Sequence, residues 1–395
     1  MNVNDLNISN DTIETIESMG IKRLTPVQEK SIPISLKGFD IIAQAQTGSG
    51  KTMAYAIPVL ENIFVLDKSP QAIILCPTRE LCIQVASQIK KIGSSIRNLK
   101  ILAVYGGQSI GKQTRVLKKG VHIVVGTPGR VIDHIHRKNL DLLGVEMIVL
   151  DEADEMLKMG FREDVEKILS YVPIKYRQTL LFSATIPKEI KEIAKNYQKN
   201  PQFIKISNKK SNKPKITQFA FHCKFPEKIS YLMKIIDVHD KGSMLVFCNT
   251  KKRINYIKKH LKGDYSIDYL HGDMTQKERD KVMTKLKNGN IRVLVATDLA
   301  ARGLDINKIK FIVNFDVPYN VDGYIHRIGR TGRAGKSGIS YLLVSFNEIE
   351  RYDKIKKSKR TRIFQRKISM LRKPEKAKKQ SVTIVQNDGL KDYTK

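Results

Sequence analysis

The sequence predicts an α/β chain of two tandem domains, each a doubly wound parallel sheet, followed by a basic C-terminal tail. Three observations carry this. Short runs rich in β-branched residues are apolar throughout, the pattern of strands buried on both faces of a parallel sheet. Helical stretches separate the runs, which implies repeated βαβ units. Between the halves lies "SNKKSNKPK", with no apolar residue and one proline, which reads as a flexible linker. A chain of 395 residues is long enough for two or three domains, each with its own core. The expected divisions are 1–206 for the first domain, 207–215 for the linker, 216–350 for the second domain and 351–395 for the tail.

The first half supplies the runs "DIIAQ", "QAIILCP", "ILAVYGG", "VHIVVGT", "MIVLDEAD" and "TLLFSAT". The second supplies "SMLVFCNT", "IRVLVATD", "KFIVNFDVP" and "ISYLLVS". Nearly every run ends in a polar or glycine-containing motif, at the carboxyl edge where open α/β sheets bind ligands. Two such lobes on a hinge imply a cleft that opens and closes. From Arg351 onward the pattern fails, with 16 Lys/Arg against 4 Asp/Glu. That stretch reads as a partly helical, partly disordered arm. Attraction to phosphates competes there with a plain solvated tail.

The net charge is +32, which favours a polyanion as partner, nucleic acid before an acidic membrane surface. No apolar run approaches the roughly 20 residues of a membrane helix, and the polar, acidic start is neither a signal nor a transit peptide. A cytoplasmic monomer with no membrane contact is expected. Cys76, Cys82, Cys223 and Cys248 show no metal-ligand spacing and read as core thiols of a reduced compartment.

"AQTGSGKT", Ala45 to Thr52, follows a strand and precedes a helix. Gly48 and Gly50 let backbone N–H groups converge on phosphate oxygens, Lys51 supplies a point charge, and Thr52 offers a hydroxyl to Mg²⁺. Glycine is usual where Ala45 stands, so a chance glycine-rich turn is the competing reading. Asp151, Glu152, Asp154 and Glu155 crowd four acids into five residues after the run "MIVL". On the same sheet edge as Lys51, Asp151 can hold Mg²⁺ through water. Glu152 can orient and deprotonate an attacking water. Decoration of a helix N-terminus would explain one or two acids, but not their pairing with a phosphate loop.

These residues resemble the DEAD-box RNA helicases. "AQTGSGKT" and "DEAD" are spelled as in that family, and "PTREL", "GG", "TPGR", "SAT", "VFCNT", "HGDM", "QKER", "ATDLAARGLD" and "HRIGRTGRAG" follow in its order. The resemblance covers roughly Gly20 to Leu343. It implies two RecA-like lobes, with ATP and Mg²⁺ bound by Thr47, Gly48, Ser49, Gly50, Lys51 and Thr52. Within "RLTPVQ", Gln28 would read adenine with both halves of its amide; local backbone capping is the alternative role. Ile21 and Val3 stand where the family has aromatic residues. Arg330 and Arg333 resemble arginine fingers that reach the γ-phosphate on closure, and Gly303 and Asp305 resemble the ribose-side contacts. Asp154, Ser183, Thr185 and His326 resemble the set coupling hydrolysis to closure, although the two hydroxyls can also be strand-end caps. Arg79, Gly107, Thr127, Arg130, Asn249, Arg279 and Thr297 make up the implied RNA-facing set. No aromatic cluster interleaves with them, so contact with phosphates and 2′-hydroxyls is expected, with little sequence preference.

The implied activity is ATP-dependent RNA unwinding or ribonucleoprotein remodelling, local rather than processive. The alternative is an ATP-gated RNA clamp within a larger particle. A DNA translocase on the same two-lobe plan is disfavoured by "DEAD" with "RLTPVQ".

Overall fold

The structure, a computed structural model, describes residues 1–371 except 47, 173, 207–215, 262–264, 302–308, 333–336 and 359. The linker, Thr47, Gly303, Asp305, Arg333 and the tail beyond 371 lie outside the described residues.

Seven strands form the first lobe: β1 (Ile41–Gln44), β2 (Ala72–Leu75), β3 (Ile101–Val104), β4 (Ile123–Gly126), β5 (Met147–Asp151), β6 (Gln178–Ser183) and β7 (Gln202–Lys205). They lie in the order β3-β4-β2-β5-β6-β1-β7, every pairing parallel. The second lobe holds β8 (Ile216–His222), β9 (Ser243–Cys248), β10 (Ile267–Leu270), β11 (Val293–Thr297), β12 (Ile309–Asn314), β13 (Gly338–Val344) and β14 (Ile363–Gln365). Their order is β10-β11-β9-β12-β13-β8-β14, again parallel throughout.

All ten apolar runs are strands, and alternation of their side chains explains why they are apolar on both sides. Ile74 and Val149 point into one core of the first lobe, and Ile73, Leu75, Ile148 and Leu150 into the other. Helices cover both faces, so neither tolerates polar side chains. Strands β7, β10 and β14 carry mostly exposed or half-buried residues at sheet edges, and β8 is a mixed strand beside one. None of the four offers the continuous apolar signal. Cys76, Cys82 and Cys248 are buried, and all four thiols are free.

The start of the expected tail is folded. Helix Ile349–Lys356 buries Tyr352 and Ile355 against the second lobe, β14 pairs with β8, and Ile368 and Leu371 pack on its core. The expected boundary at 350 therefore moves to at least 371. The misreading has a physical reason: one apolar stripe spaced i, i+3 suffices to dock a short helix, while the basic residues around it dominate the composition.

Candidate nucleotide and nucleic-acid sites

After β1 the chain turns at Gly48 and Gly50 into the helix Lys51–Glu61. Gly48 and Gly50 have φ of 81° and 93°, and a Cβ on Gly50 would fall 2.5 Å from Gln28 Nε2, so the turn needs glycine. Ser49 Oγ donates to the Gln46 carbonyl at 2.7 Å and closes the loop. Lys51 is only 6% exposed, and its Nζ has no hydrogen-bond partner among the described residues. Burying an unpaired ammonium is costly, so the position calls for an anion.

Asp151 ends β5, beside this loop, and is 3% exposed. Burial pushes its carboxyl above the ordinary range, the Lys51 charge pulls it back, and Glu152 pushes it up again. Its Oδ2 accepts from Tyr55 Oη at 2.8 Å and its Oδ1 from the Glu152 N–H at 2.9 Å. Glu152 has φ 52° and ψ 47°, a left-handed backbone that costs a non-glycine residue roughly 1–3 kcal/mol. That kink sets Glu152 on the wall of the interlobe cleft instead of continuing the strand. No group of three or more His, Cys, Asp or Glu among the described residues could hold a metal. Mg²⁺ instead takes one or two protein oxygens plus phosphates and waters, and Thr52 with Asp151 fits that demand.

Ser183 and Thr185 both contact Asp154. The Asp154 N–H donates to Ser183 Oγ at 3.2 Å, and the Thr185 N–H and hydroxyl donate to Asp154 Oδ2 at 3.1 and 2.7 Å. Burial would raise the Asp154 carboxyl, but the Thr185 and Ser183 hydroxyls, with Lys158 and Lys51, hold it below the usual range. His326 comes from the second lobe and meets Glu155, with Nδ1 3.3 Å from Oε1. Burial lowers its ring below the ordinary value, and the nearby Glu155 carboxylate opposes that. Arg330 lines the same cleft as Glu152, Asp154 and His326.

A second groove of about 460 Å³ also draws on both lobes: Arg79, Thr127 and Arg130 from the first face Gly272, Met274 and Arg279 from the second. Gly107 has φ 84°, and a Cβ there would lie 2.1 Å from Arg79 Nη1, so glycine lets the guanidinium cross the turn. Thr127 stands at the N-cap position of the helix Pro128–His136 without a side-chain capping bond. Arg279 Nε donates to Glu80 Oε1 at 3.0 Å, an ion pair between the lobes. Asn249 is held at both ends, donating from Nδ2 to the Val317 carbonyl at 3.0 Å and accepting at Oδ1 from Arg327 at 2.6 Å. Thr297 Oγ1 accepts from the Ala300 N–H at 3.4 Å at a helix start.

Gln28 is buried, with Oε1 accepting from the Thr25 N–H at 2.8 Å and Nε2 donating to the Gly50 carbonyl at 3.0 Å. The amide thus caps local backbone and braces the phosphate loop, keeping one N–H and one lone pair for a base. Val3 sits inside the first lobe's core and Ile21 packs against it, placing both aliphatic replacements in apolar contact.

Residues 25–193 match the DEAD/DEAH box helicase family and 227–335 the helicase conserved C-terminal domain. A DEAD-box ATP-dependent RNA helicase CshA of Geobacillus kaustophilus is 44% identical over 90% of this chain and 76% of its own length. The chain belongs to the DEAD-box helicase family.

A CshA of Bacillus cereus is 46% identical over 87% of this DEAD-box chain, which spans only 65% of that relative's length. Saccharomyces cerevisiae Dbp5 bound to RNA and ADP BeF3 superposes with a TM-score of 0.83 at 29% identity, covering 93% of this chain and 96% of its own. Mss116p bound to ssRNA and AMP-PNP gives 0.83 at 30% identity, covering 93% and 79%. A DEAD box protein of Methanococcus jannaschii is 40% identical but superposes at only 0.54, covering 93% and 99%. Whole-chain superposition depends on how two lobes sit, and the lobes here sit more like those of the two RNA-bound structures.

Four residues of this DEAD-box chain with direct contacts at these sites were given no role from the sequence. Arg327 is 1% exposed and forks onto Asp298 with two bonds of 2.6 Å, while its Nη1 donates to the Asp316 carbonyl at 2.8 Å. Glu80 and Glu155 form the interlobe pairs with Arg279 and His326. Those three stand inside or beside quoted motifs, so position alone could have flagged them. Tyr55 carried no signal. No helix among the described residues is long and apolar enough to cross a membrane.

Proposed function

We propose that this DEAD-box chain is an ATP-dependent RNA helicase that separates short duplexes or remodels RNA–protein complexes locally. One observation carries the reading: two clefts, one lined by Glu152 and Asp154, which directly follow Asp151, and one lined by Arg79, Thr127 and Arg130, each take residues from the second lobe. Closing the lobes assembles both at once, so ATP and RNA must raise each other's affinity.

Lys51 would hold the β- and γ-phosphates, with the loop N–H groups around it, and Gln28 would address the base. Thr52 and Asp151 would hold Mg²⁺, which supplies charge neutralisation on the phosphates when bound. Glu152 takes a proton from the attacking water as its oxygen bonds to the γ-phosphorus and the bond to the β-phosphate oxygen breaks. Arg330, with Arg333, meets the charge that gathers on the transferring group. The contacts of Asp154 with Ser183 and Thr185, and of Glu155 with His326, tie that centre to lobe closure. Arg79, Gly107, Thr127, Arg130, Asn249 and Thr297 would grip the RNA backbone. Arg279 adds the interlobe pair, so the grip forms fully only when closed. A cytoplasmic monomer is part of the reading, with ribonucleoprotein partners possible through surfaces outside the two clefts.

Unwinding of a short RNA duplex under saturating ATP tests this. Wild type is expected to release the strand, while Lys51→Ala loses about 10²–10³ in RNA-stimulated turnover and unwinds nothing. ATP-dependent RNA binding without strand release would favour the clamp. Stronger ATPase activation by DNA than by RNA would favour the translocase.

The basic tail has its own test. Truncation after Arg351 would strip Tyr352 and Ile355 from the second lobe's core, so the informative cut is after Leu371. That variant is expected to keep its melting temperature and basal ATPase but to show a flatter dependence of RNA affinity on salt. An unaltered slope would make the tail a bystander.

A further inference from the structure

We propose that Tyr55 is a positioning residue for magnesium, its hydroxyl orienting Asp151, one of the two side chains that would hold the ion. The inference rests on the nucleotide reading above and adds a residue outside every quoted motif.

Tyr55 lies three residues after Thr52 on the helix Lys51–Glu61, so both project from one face. Its Oη donates to Asp151 Oδ2 at 2.8 Å. A carboxylate can only accept, so the phenol gives Asp151 its single proton. At Asp151 the second oxygen accepts from the Glu152 N–H at 2.9 Å. One donor on each oxygen fixes the carboxylate plane and still leaves each oxygen lone pairs for a metal or its waters.

Tyr55 itself is held firmly. It is fully buried and meets Phe182 edge-on, with ring centroids 5.3 Å apart. A phenol that only filled core space would gain nothing from reaching the Asp151 carboxylate. Partners that orient metal ligands typically change metal affinity 10–100-fold when lost.

Tyr55→Phe in the full chain removes the hydroxyl and keeps the ring. A fluorescent ADP is titrated in EDTA and again at increasing Mg²⁺, alongside ATP turnover against Mg²⁺. The expected result is an affinity in EDTA within about twofold of wild type, and a Mg²⁺ midpoint raised about tenfold or more in both assays. Turnover at saturating Mg²⁺ should largely recover. An unchanged midpoint overturns the proposal, as does an equal loss of affinity with and without Mg²⁺, which would mark a damaged pocket. If wild type itself gained no nucleotide affinity from Mg²⁺, the nucleotide reading would fail and this inference with it.

Discussion

Arg330→Ala is expected to lower RNA-stimulated ATP turnover by about 10³-fold or more, while nucleotide affinity changes little. The asymmetry follows from where the side chain sits. Arg330 belongs to the second lobe but lines the cleft that Glu152 lines from the first, whereas Lys51 and the phosphate loop belong wholly to the first lobe. An ATP molecule can therefore dock without Arg330, but the charge that builds on the transferring phosphoryl group lacks its guanidinium. An interaction made mainly in the transition state appears in kcat and not in binding. Steady-state turnover at saturating RNA, with nucleotide affinity measured by fluorescence, gives both quantities. A fall of less than about tenfold in turnover would remove Arg330 from the catalytic set.

Glu152→Gln is expected to slow hydrolysis by about 10²–10⁴ in a single-turnover assay. ATP-dependent RNA binding should survive, and even persist longer. Glutamine keeps the length and shape of the side chain but cannot accept the proton of the attacking water. Lys51, Thr52 and Asp151 are untouched, so on the proposed mechanism ATP should still bind and the lobes should close before cleavage. The interlobe pairs Arg279–Glu80 and His326–Glu155 form as before. The variant should thus be caught in its RNA-gripping state. A normal single-turnover rate would unseat Glu152 as the base. Lost RNA binding would mean that the acid also supports closure.

The ten apolar runs were legible because burial on both sheet faces leaves little freedom of residue type. The strands that escaped sit at or beside sheet edges, where one side meets solvent and the pattern weakens, as the exposed positions of β7 and β14 illustrate. Of the candidate nucleotide site, Lys51, Thr52, Asp151 and Glu152 were legible because two contiguous motifs carry them on loops that leave one sheet edge on either side of β6. For Gln28 the local cap on Thr25 was legible, but the brace to Gly50 was not, since it depends on how the helix Pro26–Leu36 lies across the loop. The folded stretch 351–371 was misread because composition reports the many basic side chains, while docking needs only a few apolar ones.

By itself the sequence determined the two-sheet architecture, the carboxyl-edge location of the motifs and the residue types available for phosphate chemistry. Strand burial and βαβ chirality leave a chain of this pattern few alternatives. Only the tertiary structure decided which of those residues meet: Arg279 with Glu80, His326 with Glu155, Tyr55 with Asp151. Such pairs join segments far apart in the chain, and side-chain direction there is set by packing, which no local pattern encodes.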